Sequence, residues 1–306
     1  MPNGGTTMRD LNETTITEAV RDQMARTTDP RLRQIMEAAV RHLHNFAREV
    51  NLTPAEWLAG IRFLTEVGHA CTPIRQEFIL LSDVLGLSAL VNALHDKGAA
   101  ELGTQTSLLG PFYREQAPDL PLGACIVANP TIPPIVIHGQ VTDNAGQPIP
   151  NARVEVWQTD EHGLYDLQKD GGAGMDMRGN FTADDQGRYH FRTVRPLGYS
   201  IPLDGPVGQL VRAQARHGFR PSHIHLLVTA PGYRELVTAL YFGDDDHIDS
   251  DTVFGVSASL VVTATDDPDS PIPGLKAVRY DFRLGRDAAA TSGRLGADPA
   301  TVTPGH

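Results

Sequence analysis

The chain has 306 residues, of which 41% are hydrophobic and 21% are charged, a composition typical of a globular protein with a sizeable core. Its net charge of −11 disfavours binding to a phosphate backbone, and no stripe of Lys and Arg with interleaved aromatic residues offsets that charge. The two cysteines, Cys71 and Cys125, are far apart, which argues against a disulfide framework and a thiolate metal site. The sequence has no run of about 18 apolar residues and no secretory signal, so a cytoplasmic location is expected.

The first part of the chain has the apolar spacing of three and four residues that is typical of amphipathic helices. One helix start is marked by Thr53 as N-cap, Pro54 at the first helical position and Glu56 placed to close a capping box. The pair His42 and His44 lies on a predicted helix, where residues two apart do not share a face, so both are expected to be exposed and inert. The predicted helices cover 31–50, 53–67, 72–85 and 88–97.

From Pro133 the pattern changes to short runs of Val, Ile, Leu and Tyr that are separated by turn-forming clusters such as residues 143–146 and 184–187. Most of these runs have no helix between them, which favours an antiparallel β-sandwich over a parallel α/β sheet. The predicted strands cover 135–141, 152–158, 188–194, 222–229, 236–242, 259–265 and 278–283.

The sequence therefore predicts an α+β protein, with a helical N-terminal domain followed by an antiparallel β-sandwich. The residues at both ends are small, polar and aperiodic, which is typical of flexible segments. The predicted limits are a flexible segment at 1–30, a helical domain at 31–105, a linker at 106–132, a β-sandwich at 133–284 and a disordered tail at 285–306.

His223 and His225 lie in a predicted strand, where side chains two apart project from the same face, close enough to share one metal ion. The alternative is a pair of hydrogen-bonded histidines on a polar sheet face. Tyr165 and Tyr199 each fall where a strand passes into a loop. Taken singly, each tyrosine is better explained as a core or rim residue than as a metal ligand.

These residues together resemble the iron-binding core of the intradiol ring-cleaving dioxygenases. The resemblance rests on the order and spacing of five stretches and extends to the helical N-terminal part. The stretches are VEVW at 154–157, GLY at 163–165, GY at 198–199, RPSHIH at 220–225 and APGY at 230–233. The resemblance implies that the β-sandwich is the catalytic domain and that it holds an Fe(3+) cofactor through Tyr165, Tyr199, His223 and His225.

The resemblance also implies roles in the reaction for two residues. Tyr199 would accept a proton from the substrate, and Arg220 would stabilise negative charge on the substrate ring. A structural arginine paired with a nearby carboxylate is the alternative for Arg220. The family often has a glutamine that supports this arginine, whereas this chain has Ala239 at that position, so the support must come from elsewhere.

The resemblance implies a substrate pocket of seven residues, and the stretches LLSD at 80–83 and SDTVFGV at 250–256 are most similar to the hydroxyquinol 1,2-dioxygenase branch. A carboxylate in an apolar pocket is costly unless it meets a polar group, and hydroxyquinol offers a third hydroxyl where catechol has none. A local cap or ion pair is the alternative for Asp83. The implied pocket residues are Leu80, Asp83, Leu108, Pro111, Phe112, Thr252 and Val253.

The expected reaction is cleavage of hydroxyquinol by dioxygen to 3-hydroxy-cis,cis-muconate, which tautomerises to maleylacetate. Catechol 1,2-dioxygenase activity, which gives cis,cis-muconate, is the nearest alternative, and a non-enzymatic β-sandwich binding module is another. A zinc hydrolase is a weak alternative, because the sequence has no Glu or Asp at a spacing from the two histidines that suits a general base. The resemblance further implies a homodimer through the N-terminal helices, in some family members with a bound phospholipid.

Overall fold

The computed structural model describes residues 9–72, 75–97, 103–169 and 174–287. The chain divides into two units, Met1–Glu66 and Val67–His306, and the division falls within the third helix. The helices are α1 (Ile16–Met24), α2 (Pro30–Glu49), α3 (Pro54–Ala70), α4 (Glu77–Val84), α5 (Leu87–Asp96) and α6 (Pro206–Ala213). The strands are β1 (Ile135–Asp143), β2 (Arg153–Gln158), β3 (Arg178–Thr182), β4 (Arg188–Thr193), β5 (Tyr199–Ser200), β6 (Phe219–Arg220), β7 (His223–Thr229), β8 (Leu236–Phe242), β9 (Val261–Val262), β10 (Ala277–Arg279) and β11 (Phe282–Leu284).

Helix α1 lies inside segment 1–30, for which the sequence predicts no regular structure, so that prediction is wrong for the residues of α1. The helix is held by residues that are distant in sequence. Arg48 in α2 donates hydrogen bonds to the Thr17 hydroxyl at 2.6 Å and to the Glu13 carbonyl at 2.8 Å. The same hydroxyl lies 3.0 Å from Nδ1 of His44, so His44 is half-buried and only His42 is exposed as predicted. Most of the predicted C-terminal tail lies outside the described residues.

The capping box at the start of α3 is confirmed. The Glu56 carboxylate accepts the backbone N–H of Thr53 at 2.9 Å, and the Thr53 hydroxyl accepts the backbone N–H of Glu56 at 3.3 Å. The predicted start of the next helix at Thr72 is wrong, because Thr72 and Arg75 exchange backbone hydrogen bonds in a turn and α4 begins at Glu77. Pro73, the other residue of that predicted start, lies outside the described residues.

Two sheets form the predicted sandwich, and a third, two-stranded sheet pairs β5 with β6. One sheet has β1 between β10 and β11 and also pairs β1 with β4, and the other has the order β3-β2-β7-β8-β9. Both are mixed rather than strictly antiparallel, because β1 pairs in parallel with β10 and β11, and β8 pairs in parallel with β9. Long connections precede β9 and β10, and such connections allow a strand to enter a sheet in the parallel direction.

The five-stranded sheet presents two different faces, because its side chains alternate with period two. Ile224, Leu226 and Val228 of β7 point into the sandwich core together with residues of β1 and β4. His223 and His225 therefore project from the opposite face, and both are buried there. The polar functional residues thus lie under a cover of loops and outside the apolar core.

Among the described residues, no single helix is long and apolar enough to cross a membrane, although α4 and α5, bent by 73°, meet those criteria as a pair.

A tight backbone approach at Gly139 of β1 explains why β10 and β11 are separate strands. The chain crosses between them at Tyr280, whose N–H donates to the His138 carbonyl at 2.8 Å. A Cβ atom at Gly139 would lie 1.8 Å from the Tyr280 carbonyl oxygen. The crossing therefore requires glycine at this position.

We expect Gly139→Ala to lower the free energy of unfolding by about 3 kcal/mol, at the upper end of overpacking costs, because the clash is with rigid backbone. Chemical denaturation measures this change. Gly174→Ala is the matched control, since a Cβ at Gly174 meets no atom within 4 Å. Equal stability of the two variants would contradict the close approach.

Candidate active site

The two histidines of β7 are oriented toward a common point. The Nε2 atoms of His223 and His225 are 3.1 Å apart. Nδ1 of His223 lies 2.6 Å from the Pro221 carbonyl oxygen, which can only accept, so the proton is on Nδ1 and Nε2 carries the lone pair. Two imidazole ligands about 2.1 Å from one metal ion and roughly 90° apart would be separated by about 3.0 Å. The observed separation fits a shared metal ion.

The ring of His225 is fixed by its neighbours on the sheet. Trp157 of β2 pairs with His225 in the strand register, and the two rings stack with centroids 5.0 Å apart and planes at 5°. On the other side, a Cβ built on Gly110 would lie 3.5 Å from Nε2 of His225. Gly110 thus leaves the Nε2 edge of the ring uncovered.

Both predicted tyrosines lie beside this histidine pair. Their rings are 5.5 Å apart between centroids and nearly perpendicular, and the Tyr199 ring lies 5.8 Å from that of His223. Tyr165 is held from its backbone, because its N–H donates to the Gln168 side chain at 2.9 Å and its carbonyl accepts from the N–H of Gln168 at 2.9 Å. The structure therefore brings together the four side chains that the sequence suggests as metal ligands.

Glycines next to each tyrosine allow the two loops to approach. Gly163 has φ +78°, and a Cβ there would lie 3.1 Å from the Gly198 carbonyl oxygen. A Cβ at Gly198 would lie 2.7 Å from the carbonyl oxygen of Arg220. Tyr199, which follows Gly198 in the chain, is the register partner of Arg220 in the pairing of β5 with β6. The glycines of the two Gly-containing motifs thus set the positions of the phenol rings.

The electrostatics of the site favour neutral histidines. Burial lowers the pKa of His223 well below its ordinary value, and the Arg220 guanidinium lowers that pKa further. Burial likewise lowers the pKa of His225, with further contributions from His223 and Arg220. Two buried neutral imidazoles offer lone pairs to a cation.

Burial disfavours the phenolate form of both tyrosines, and a nearby cation would favour that form. Burial raises the pKa of the Tyr165 phenol well above its ordinary value, and Tyr199 raises that pKa further. Burial also raises the pKa of Tyr199, although Arg220 acts in the opposite direction. The Tyr165 hydroxyl is buried, and among the described residues it has no hydrogen-bond partner of acceptable geometry. A buried hydroxyl without a partner is costly, and a metal ion that binds the phenolate would remove that cost.

Arg220 is supported by residues that sequence reasoning did not assign. Its Nε lies 3.2 Å from Oδ1 of Asp251, one Nη lies 3.4 Å from Oδ2 of Asp251, and that same Nη donates to the Tyr241 hydroxyl at 3.3 Å. Ala239 faces His225 across the strand register and has no polar group to offer. The ion pair with Asp251 raises the pKa of Arg220 well above its ordinary value, although burial alone would lower it.

Two further residues missed from the sequence complete this support. The Ser107 hydroxyl lies 2.8 Å from the Tyr241 hydroxyl and donates to the Gly255 carbonyl at 3.1 Å. Asp245 accepts the backbone N–H of Ser222 at 2.9 Å and so holds the chain between Arg220 and His223. Local sequence gives no signal for contacts between residues this far apart.

The predicted pocket residues divide into groups. Phe112 stacks on Tyr165, with centroids 4.3 Å apart and planes at 18°, and Pro111 beside it is half-buried. Asp83 and Leu108 line a cavity of about 420 Å³ that reaches Gly110, next to His225. The remaining three predicted pocket residues are buried but are not among the residues that line this cavity. They are Leu80 on α4, and Thr252 and Val253 immediately after Asp251.

Asp83 is buried on α4, and its surroundings are polar on one side. Burial raises the pKa of the Asp83 carboxyl above its ordinary value, whereas a hydrogen bond from Ser88 and the charge of Arg220 lower it. The hydrogen bond from Ser88 is a local contact of the kind expected under the alternative interpretation, in which Asp83 acts as a local cap or ion-pair partner. The charge of Arg220 acts on Asp83, and Arg220 in turn lies 3.2 Å from Nε2 of His223. Asp83 is therefore connected to the histidine pair through Arg220.

Comparison with known proteins identifies the family. Residues 29–103 match the model "Catechol dioxygenase N terminus" and residues 110–286 match the model "Dioxygenase". A 6-chlorohydroxyquinol 1,2-dioxygenase of Cupriavidus pinatubonensis is 46% identical over 83% of this chain and 92% of its own length. The chain belongs to the intradiol ring-cleavage dioxygenase family.

Two other relatives agree with this assignment. A hydroxyquinol 1,2-dioxygenase of a Rhizobium species is 44% identical to this dioxygenase over 80% of the chain and 83% of its own length. The crystal structure of a hydroxyquinol 1,2-dioxygenase from Pseudomonas putida is similar with a TM-score of 0.82 and 40% identity, covering 90% of this chain and 99% of that one. The predicted combination of a helical N-terminal region and a β-sandwich is therefore confirmed.

Membership of the family implies a metal cofactor for this dioxygenase. The residues present fit such a group on three observations: the paired Nε2 atoms, the Nδ1 proton held by Pro221, and the Tyr165 hydroxyl without a partner. Phenolate oxygen is a hard anionic donor, so this donor set suits a hard, highly charged metal ion.

We expect Asp251→Ala to lower the free energy of unfolding by about 3–5 kcal/mol, because it leaves the buried Arg220 guanidinium without its counter-ion. Chemical denaturation of the purified protein measures this loss. Asp119→Ala removes the partner of Arg153 in an exposed ion pair, and its effect should stay within about 1 kcal/mol. A loss for Asp251→Ala as small as that of the control would show that Arg220 does not depend on Asp251.

Proposed function

We propose that this dioxygenase cleaves hydroxyquinol, 1,2,4-trihydroxybenzene, between its two adjacent hydroxyl-bearing carbons. One molecule of dioxygen is consumed, the carbon–carbon bond between these atoms breaks, and each carbon becomes a carboxylate carbon of 3-hydroxy-cis,cis-muconate. The product tautomerises to maleylacetate. The observation that carries the proposal is the convergence of two phenols and two neutral imidazoles beside a cavity that contains a buried carboxylate.

The cofactor that we infer is Fe(3+), held by Tyr165, Tyr199, His223 and His225. The two phenolates are hard, anionic donors, and together with two neutral imidazoles they favour the oxidised ion. When bound, the ferric ion would supply the positive charge that draws both substrate oxygens into their ionised form and prepares the ring for dioxygen.

Tyr199 is the residue that we infer to accept a substrate proton at its hydroxyl oxygen. A phenol is suited to this task, because its ordinary pKa of about 10 is close to that of the catechol hydroxyl it deprotonates. Burial raises the pKa of Tyr199 and the Arg220 guanidinium offsets only part of that rise, so the phenolate form would depend on the positive charge of the bound metal ion.

Arg220 is the residue that we infer to stabilise negative charge on the ring. Its Nε and one Nη are occupied by Asp251 and Tyr241, and the other Nη lies 3.2 Å from Nε2 of His223. The guanidinium is therefore held with one edge toward the metal ligands. A buried, fixed positive charge of this kind stabilises developing negative charge without reorganisation.

Asp83 supports hydroxyquinol as the substrate over catechol. The Asp83 carboxylate, buried beside Leu108, can accept more hydrogen bonds than the one from Ser88, and the third hydroxyl of hydroxyquinol would donate another. Catechol 1,2-dioxygenase activity, with cis,cis-muconate as product, is the alternative. The relatives named hydroxyquinol and 6-chlorohydroxyquinol 1,2-dioxygenase favour the first of these two activities.

We expect Asp83→Ala to lower kcat/KM for hydroxyquinol by about 10–100-fold, because a lost hydrogen bond to a buried charged group costs about 1.5–3 kcal/mol. The value for catechol should change by less than about threefold, since catechol has no hydroxyl that Asp83 would bind. Steady-state kinetics of the ferric protein on both substrates, with products identified by mass spectrometry, measure the ratio. Equal losses for both substrates would remove Asp83 from substrate selection, and wild-type protein inactive on both would contradict the proposed function.

We also propose that the chain forms a homodimer through its N-terminal helices, with a phospholipid between subunits as a possible further component. The support is the exposed apolar surface of α2 and α3, which includes Leu43, Phe46, Trp57 and Ile61. Analytical ultracentrifugation should give twice the 33.2 kDa chain mass, and a monomer at micromolar concentration would contradict the dimer. Lipid extraction followed by mass spectrometry tests for the phospholipid.

A further inference from the structure

A buried ion pair lies directly beside the Tyr165 ligand. Asp166, the next residue in the chain, accepts two parallel bonds from Arg178 of β3, at 2.7 Å from Nε and 2.5 Å from Nη2. Both side chains are almost completely buried. A planar guanidinium that binds both carboxylate oxygens fixes orientation as well as distance. The pair therefore constrains the backbone that carries Tyr165.

The arginine of this pair belongs to the same sheet as the histidine ligands. Arg178 is the register partner of Trp157, and Trp157 is in turn the register partner of His225. Arg178, Trp157 and His225 thus occupy one row across β3, β2 and β7. The ion pair consequently connects the Tyr165 loop to the row of residues that positions His225.

A second arginine joins the pair from the loop that covers the site. Arg114 donates to Asp166 at 3.1 Å and to the Gly174 carbonyl at 2.7 Å. Two residues earlier in the chain, Phe112 stacks on the Tyr165 ring. One carboxylate therefore holds the loop that carries Tyr165, the strand that carries Arg178 and the loop that carries Phe112.

We propose that Asp166 and Arg178 are positioning residues for the metal site, which hold the Tyr165 phenol oxygen at the distance from the histidine pair that a ferric ion requires. This inference rests on the proposed ferric site. The pair touches neither substrate nor reacting atoms, and it acts through Tyr165. Residues that orient metal ligands in this way typically account for a 10–100-fold difference in metal affinity or activity.

The location of the pair separates this role from a general contribution to stability. A buried ion pair is often no more stabilising than apolar residues of similar volume, so stability alone gives little reason for it. Here the carboxylate is covalently adjacent to a ligand, and the arginine lies in the row of another ligand. The double substitution Asp166→Leu with Arg178→Met removes both charges of the buried pair together. The half-buried Arg114 loses its carboxylate partner but keeps its hydrogen bond to the Gly174 carbonyl.

The test compares ferric-ion binding by the wild-type protein and by this double variant, measured by competition with a chelator of known affinity. We expect the double variant to bind ferric ion about 10–100-fold more weakly. Its visible tyrosinate absorption band should move relative to the wild type, because the Tyr165–metal contact changes. The metal-free double variant should still unfold cooperatively, and added ferric ion should raise its Tm by less than that of the wild type.

Two further variants keep the test decisive. Arg178→Lys retains the charge but cannot make two parallel bonds, so it should also weaken ferric binding and move the band, and it serves if the double variant does not fold. Arg279→Met removes a surface arginine with partners at 3.9 and 3.7 Å, and both readouts should stay at wild-type values.

The possible results separate the two proposals. Wild-type affinity and an unchanged band in both Arg178 variants would overturn the positioning role while leaving the ferric site intact. Wild-type protein that binds no ferric ion would instead overturn the proposed function, and this inference with it.

Discussion

The burial of four candidate metal ligands, two histidines on the outer face of one sheet and two tyrosines beside them, is the constraint on which the rest of this structure depends. His223 and His225 project away from the sandwich core, yet neither is accessible to solvent. The Tyr165 hydroxyl is buried beside them, and no hydrogen bond of acceptable geometry reaches it from the part of the chain that the structure describes. Removing polar groups from water is costly unless something replaces the lost interactions. A metal ion would replace them for all four side chains at once.

The surrounding residues make it possible for these polar side chains to be buried together. Glycines at 163 and 198 let the two tyrosine loops approach, and Gly110 leaves the Nε2 edge of His225 uncovered. Two buried arginines, Arg178 and Arg220, each pair with an aspartate and border the site from different strands. Because each of these two buried arginines has a carboxylate partner, neither leaves an isolated charge at the site.

Much of the fold could be predicted from local patterns. The capping box of Thr53 and Glu56 acts over three residues, and the strand spacing of His223 and His225 acts over two, so both were visible in the sequence. Helix α1 was missed because it is held by Arg48, more than thirty residues away. The parallel pairing of β1 with β10 and β11 was missed for the same reason, since it joins residues about 140 positions apart.

The candidate site divides in the same way. The two tyrosines became candidate ligands through a resemblance of compound motifs, whereas each alone has no distinguishing pattern. Asp251 lies in a recognisable stretch, but nothing local shows that it pairs with Arg220, 31 positions away. The absence of a polar side chain at Ala239 indicated that Arg220 needs another partner, and only the three-dimensional arrangement identifies Asp251 and Tyr241 as that support.

The most direct measurement is an anomalous diffraction map at the iron absorption edge from crystals of the iron-loaded protein. The account predicts one peak, at about 2.0–2.3 Å from the Tyr165 and Tyr199 phenol oxygens and from Nε2 of His223 and His225. A peak bound elsewhere, or a Tyr165 oxygen several ångströms away from the iron in the resting protein, would contradict it.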